Sequence, residues 1–226
     1  MRMPAAFVFD AYGTLFDVHG FHPLAEALAP GQGAALLQHW RTRQLEYSWQ
    51  CALMTSSAFP RPDFLALTQA ALDYAIAALM VPIDDAGRRA LVDAYLALPP
   101  YPDALHTLAA LAPRPRVILS NGTRAMLDPL VARAGMTPLL DAVLSVDAAA
   151  TYKPAPAVYR LAADHLGLAP QDIGFVSANG WDAAGAKAAG FTTFWINRLG
   201  APAERHAPAP DYSIGSLADL ARIVTD

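Results

Sequence analysis

Lysine is nearly missing from this chain. Of 16 basic residues only Lys153 and Lys187 are lysines, so a lysine inside a motif draws notice. Cysteine is scarcer still. Cys51 stands alone, which excludes an intrachain disulfide framework and gives no sign of secretion. Cys51 lies in a helical pattern with Trp49, Leu53 and Met54 and has no histidine beside it, which favours core packing over a nucleophilic thiol. Charged residues make up only 16% of the chain, and the net charge of -4 is spread without a block of one sign. That pattern excludes a nucleic-acid groove and a polybasic membrane patch. No uninterrupted apolar run reaches the ~18 residues of a membrane span. Met1-Arg2-Met3-Pro4 leads straight into a strand, with no apolar signal-peptide core. The expectation is a soluble cytoplasmic protein.

What is abundant is apolar surface. At 54% hydrophobic over 226 residues, the chain can fill one large core or a core with an inserted subdomain. Phe7-Val8-Phe9 reads as a short buried strand ending at Asp10, with a turn at Gly13-Thr14. Residues 21–98 then read as helices only. Leu36, Leu37, Trp40, Gln44, Leu45, Trp49 and Leu53 keep helical spacing, and Phe59-Pro60-Arg61-Pro62 ends that run. Asp63 opens a second helix to Met80, and Asp84 or Asp85 a third that stops at Pro99-Pro100. From there strands alternate with helices. The strands are read at 116–120, 142–146, 173–177, 192–196 and 211–214, and the helices at 124–134, 155–166, 181–189 and 216–224. Gly135, Gly167 and Gly190 close the first three of those helices. Such alternation predicts an α/β fold, a doubly wound parallel sheet with a Rossmann-like core. The core is expected over 1–17 and 99–226, with an inserted helical cap subdomain over 18–98.

The strand ends carry the chemistry. Asp10 alone reads either as a loop-capping carboxylate or as a group at the ligand-binding edge of a parallel sheet. The later strand ends then supply Ser120-Asn121-Gly122-Thr123, Thr151-Tyr152-Lys153-Pro154 and Ser177-Ala178-Asn179-Gly180-Trp181-Asp182. Parallel strands bring these ends to one edge. Two carboxylates, an ammonium, hydroxyls and amides there make up a carboxylate nucleophile with an oxyanion site and a base.

These four motifs together resemble the haloacid dehalogenase superfamily, over nearly the whole chain. Phe16-Asp17-Val18, Trp40-Arg41, Gln44-Leu45-Glu46-Tyr47 and Trp195-Ile196-Asn197-Arg198 are similar to local sequences of its L-2-haloacid dehalogenase branch. Position 12 separates the branches. Phosphatases of the superfamily carry a second aspartate there to protonate the leaving oxygen and organise Mg²⁺, whereas this chain has Tyr12. Halide leaves without a proton, and no phosphate dianion needs neutralising, so the expectation is no metal and no cofactor.

The resemblance implies hydrolytic dehalogenation of short (S)-2-haloalkanoic acids to (R)-2-hydroxyalkanoic acids. Asp10 attacks C2 with inversion, and water cleaves the resulting aspartyl ester. Lys153 is expected to neutralise and orient Asp10; otherwise it is a surface lysine. Asp182 is expected to activate or orient the water; otherwise it caps its helix. Thr14, Ser177 and Asn179 are assigned to Asp10 and the oxyanion. Ser120, with backbone amides near Ala11, Tyr12 and Asn121, is assigned to the substrate carboxylate. Arg41, from the helical insertion, is expected to face the departing halide. Tyr12, Leu45, Phe59 and Trp181 are candidates for the pocket wall, and Tyr159 reads either as part of the network or as core. Thr42, Ala178 and the stretch 55–62 depart from the family pattern and leave substrate size open. The expected partners are a 2-haloacid and halide, with no nucleic acid or membrane. A homodimer is implied by resemblance only. The rival readings are a Mg²⁺-dependent phosphatase, a silent binding module on this fold, and a dehalogenase of haloacetate or fluoroacetate.

Overall fold

In the computed structural model, which describes residues 3–225, six strands form one fully parallel sheet. They are β1 (Ala6–Phe9), β2 (Arg116–Ser120), β3 (Ala142–Ser145), β4 (Ile173–Ser177), β5 (Thr192–Ile196) and β6 (Tyr212–Ile214). The order across the sheet is β3-β2-β1-β4-β5-β6. All four residues of β1 are buried, as in a parallel strand covered on both faces. From β1 the chain winds to one side through β2 and β3, then returns to the other side at β4. Beyond the carboxyl end of β1 is therefore the point where the winding reverses, the usual ligand crevice of such sheets.

Contacts divide the chain into two compact units, Met1–Phe16 with Pro100–Asp226, and Asp17–Pro99. The second unit is helical. It holds α1 (His22–Leu28), α2 (Gly33–Met54), α3 (Phe64–Leu79) and α4 (Asp85–Tyr95). Asp63 caps α3 by accepting from the Ala66 amide at 2.8 Å, and Asp84 caps α4 by accepting from the Gly87 amide at 2.8 Å. Phe21, Trp40 and Tyr95 form an aromatic cluster inside this unit, with ring centroids 5.6 to 6.4 Å apart. Cys51 is buried on α2, in keeping with a packing role.

The sheet unit carries α5 (Ala104–Ala110), α6 (Arg124–Arg133), α7 (Pro156–Leu166), α8 (Gly180–Ala188) and α9 (Leu217–Thr225). Two helices, α1 and α5, are additions to the sequence reading. Each is seven residues long and lacks a side-chain cap, so neither periodicity nor capping announces it. Met1, Arg2 and Asp226 lie outside the described residues, and part of the leader reading falls on the first two. Among the described residues no helix is long and apolar enough to cross a membrane.

Candidate active site

Asp10 follows β1 directly and is 6% exposed. Its two oxygens have different surroundings. Oδ2 accepts from the Thr14 hydroxyl at 3.1 Å and from the Asn179 side-chain amide at 2.8 Å. Among the described residues, Oδ1 accepts only from the Lys153 ammonium, at 3.0 Å. Thr14 cannot turn away, because its hydroxyl accepts from the Ala178 amide at 2.8 Å and so directs its own hydrogen to Asp10. Asn179 also donates to the Tyr12 carbonyl at 3.2 Å, tying the loop after β4 to the loop after β1.

Lys153 is 1% exposed, which removes the surface-lysine alternative. Its ammonium bridges Asp10 and Asp182, reaching Asp182 Oδ2 at 2.9 Å, and it stands 5.0 Å from the centroid of the Phe175 ring. Burial alone pulls the ammonium pKa down, but the two carboxylates outweigh burial and hold it above the ordinary lysine value. This raised value stabilises the fold fully below the unfolded lysine value of about 10.4, and the contribution is lost as pH climbs through the folded value.

Asp182 is fully buried inside the first turns of α8, whose N-cap is Asn179, so the capping alternative for Asp182 falls. Its Oδ1 accepts from the Tyr159 hydroxyl at 2.8 Å. Tyr159 is thus both a core residue and a member of the network. Gly185 leaves this hydroxyl its space, since a Cβ there would come within 2.4 Å of it. Burial pushes the Tyr159 hydroxyl well above its usual range, and the Asp182 charge adds to the shift.

Burial likewise pushes Asp182 up to about 6; Lys153 opposes the rise and the like charge of Asp10 adds to it. An unfolded aspartate titrates near ~3.9. The Asp182 contribution to stability is therefore most favourable below that value and declines as pH rises through about 6. A reaction that needs the ionised carboxylate runs the other way. We expect kcat to fall on a one-proton limb at acid pH, set below about 6 because esterification removes the Asp10 charge that helps raise the value, and the residual rate of Asp182→Asn to lack that limb, as pH–rate profiles of both proteins would show.

One expected contact is corrected. Ser177 does not bond Asp10; its hydroxyl accepts from the Asn179 amide at 3.1 Å and shapes the loop instead. The Asn121 side chain accepts from the Lys153 backbone amide at 3.1 Å, so it holds the lysine loop to the end of β2. Asp182, fully buried, accepts from Lys153 at Oδ2 and from Tyr159 at Oδ1. Ser120 is fully buried at the end of β2, where its hydroxyl accepts from the Gly122 amide at 3.2 Å and keeps its own hydrogen to donate. Ala11 is buried and its carbonyl accepts from Leu15 and Phe16, closing the turn after Asp10. The Tyr12 ring lies where a Cβ on Gly122 would meet it at 3.0 Å. Trp181 sits half-buried in the first turn of α8.

Arg41, Leu45 and Phe59 belong to the helical unit. Arg41 and Leu45 are one turn apart on α2, and Arg41 donates to Gln44 at 2.8 Å. Phe59 follows α2 in a turn closed by Ser56 and is 41% exposed. Sequence reasoning passed over Phe175 beneath Lys153. The signal was its place two residues before Ser177, which puts both on one face of β4.

A divalent metal of the phosphatase kind does not fit this donor set. Position 12 is Tyr12, and the Lys153 ammonium already stands between the two carboxylates.

A model of haloacid dehalogenase-like hydrolases matches residues 4–190. The (S)-2-haloacid dehalogenase of Xanthobacter autotrophicus is 42% identical, over 98% of this chain and 95% of its own. Haloacetate dehalogenase H-2 of Moraxella sp. (strain B) is 34% identical over 99% of both chains. The Xanthobacter autotrophicus L-2-haloacid dehalogenase, solved with chloropropionic acid covalently bound, superposes with a TM-score of 0.90 over 99% of both chains.

Proposed function

The chain belongs to the haloacid dehalogenase-like hydrolase family, and from that premise we propose that it hydrolyses short (S)-2-haloalkanoic acids to (R)-2-hydroxyalkanoic acids and halide. The observation that carries the reading is the unequal bonding of the two Asp10 oxygens. Oδ1, with a single partner among the described residues, has the more available lone pair and attacks C2 from behind the carbon–halogen bond. The halide leaves with the bonding pair, and C2 is inverted. Oδ2 becomes the carbonyl oxygen of the ester. When water adds to the ester carbonyl carbon, the negative charge develops on Oδ2, where Thr14 and Asn179 already donate. Collapse expels the product alkoxide, which takes a proton from protonated Asp182 to leave as the hydroxy acid, and loss of the remaining acid proton to solvent restores the Asp10 carboxylate.

Lys153 holds the nucleophile ionised and aimed before the first step. Once Asp10 is esterified its charge is gone, and Asp182 is the base to which the proton of the attacking water passes. The Ser120 hydroxyl, with backbone amides near Tyr12 and Asn121, holds the substrate carboxylate. Arg41 receives the halide; this assignment rests on the Trp40-Arg41 resemblance. Tyr12 and Trp181 of the sheet unit and Leu45 and Phe59 of the helical unit are assigned to the alkyl and halogen wall by the same resemblance. By the same resemblance the helical unit is assigned the role of a cap, which would keep bulk water from the displacement step.

The test is halide release from each enantiomer of 2-chloropropionate with EDTA present. Release from the (S) enantiomer alone, undiminished by the chelator, is expected. Release from neither, or only with added Mg²⁺, would overturn the reading in favour of the silent module or the phosphatase.

A further inference from the structure

Gln44, a polar side chain on α2 with 1% exposure, has no part in the chemistry above. We infer that Gln44 is a positioning residue for Arg41, aiming the guanidinium while leaving its charge intact. The inference rests on the assignment of Arg41 to the departing halide.

The geometry forces the direction of the amide. On α3 the Thr68 hydroxyl donates to the Phe64 carbonyl at 2.6 Å, so its one hydrogen is spent within the helix. It must then accept from the Gln44 amide nitrogen, at 2.6 Å. That contact turns the Gln44 carbonyl oxygen away from Thr68. The oxygen faces Arg41 Nη1 at 2.8 Å, with the Tyr95 hydroxyl of α4 at 3.4 Å. A flipped amide would set a donor against Arg41 and leave the Thr68 contact without a hydrogen. The Trp40 indole fixes the same turn of α3 by donating to the Thr68 carbonyl at 2.7 Å. Three helices thus hold one amide in one orientation.

The choice of an amide has a consequence for charge. Arg41 borders a cavity of about 360 Å³ whose walls include Phe21, Leu37, Trp40 and Tyr95. A carboxylate at position 44 would grip the guanidinium harder and also neutralise it. An amide oxygen gives direction without an opposing charge, which a cation needs if it is to stabilise a developing halide. The neighbouring acid on this helix, Glu46, is instead paired with Arg43 at 2.8 Å.

The experiment compares kcat and KM for (S)-2-chloropropionate and (S)-2-bromopropionate in Gln44→Leu, Gln44→Glu, Thr68→Val and Thr68→Ser, each also in an Arg41→Ala background. Gln44→Leu should lower kcat about tenfold with the chloride and about threefold with the bromide, with little change in KM. The chloride suffers more because it is the poorer leaving group and leans harder on the cation. Gln44→Glu should shift the halide ratio in the same direction by quenching the charge. Thr68→Val should do so by releasing the amide, and Thr68→Ser, which keeps the hydroxyl, should restore the parental ratio. With Arg41→Ala the ratio should no longer respond to position 44. Equal losses for both halides, or the same ratio shift without Arg41, would overturn the inference. A parent protein that released no halide would remove the reading beneath it, an outcome distinct from an active parent whose halide ratio ignores these variants.

Discussion

Asp10→Asn should abolish halide release, lowering kcat by at least about 10⁴-fold, while leaving a folded protein. An amide oxygen is too poor a nucleophile to displace halide, so the first step is lost rather than slowed at a later point. The stability of this variant is as informative as its inactivity. Lys153 faces two carboxylates at 3.0 and 2.9 Å, and removing one leaves a single matched pair with Asp182. The like charge of Asp10 is also one cause of the raised Asp182 value, so that value should come down. The variant should therefore unfold no more readily than the parent at neutral pH, measured by urea denaturation. A variant as active as the parent would remove Asp10 from the mechanism.

Lys153→Met should lower kcat by roughly 10³-fold and act on stability in the opposite sense. It leaves two buried carboxylates with no cation between them. Removing one partner of a buried ionic cluster typically costs ~3–5 kcal/mol. The loss should be largest at pH 8 and shrink toward pH 5. Without the ammonium, the lowering influence on Asp182 is gone and the carboxyl protonates at still higher pH. Urea denaturation of parent and variant at both pH values tests this sign. A loss that grew as pH fell would mean that the cluster is not held by charge compensation.

The two variants together show what could be read in the chain and what could not. The order of motifs at the ends of β1, β2 and β4 was legible because parallel strands put their carboxyl ends on one edge, whatever the loops do. Lys153 was legible partly through rarity, as one of only two lysines. The partners of Ser177 and Asn121 were not legible. Both side chains bond backbone amides of loops whose paths depend on the closed fold, and no periodicity encodes such contacts. Gln44 kept helical spacing and looked like one more inward position of α2. Its orientation is set by Thr68, 24 residues away on another helix. The short helices α1 and α5 escaped because seven residues give less than two turns of pattern.

The central claim is that Asp10, and not water, first attacks the substrate. A single turnover in H₂¹⁸O, with enzyme in excess over (S)-2-chloropropionate, tests it most directly. Attack by Asp10 sends one of its own oxygens into the product, and water replaces that oxygen on the carboxylate. The heavy isotope should then appear in the peptide containing Asp10 and be missing from the hydroxy acid. Heavy oxygen in the hydroxy acid on the first turnover, with an unlabelled Asp10 peptide, would contradict the account.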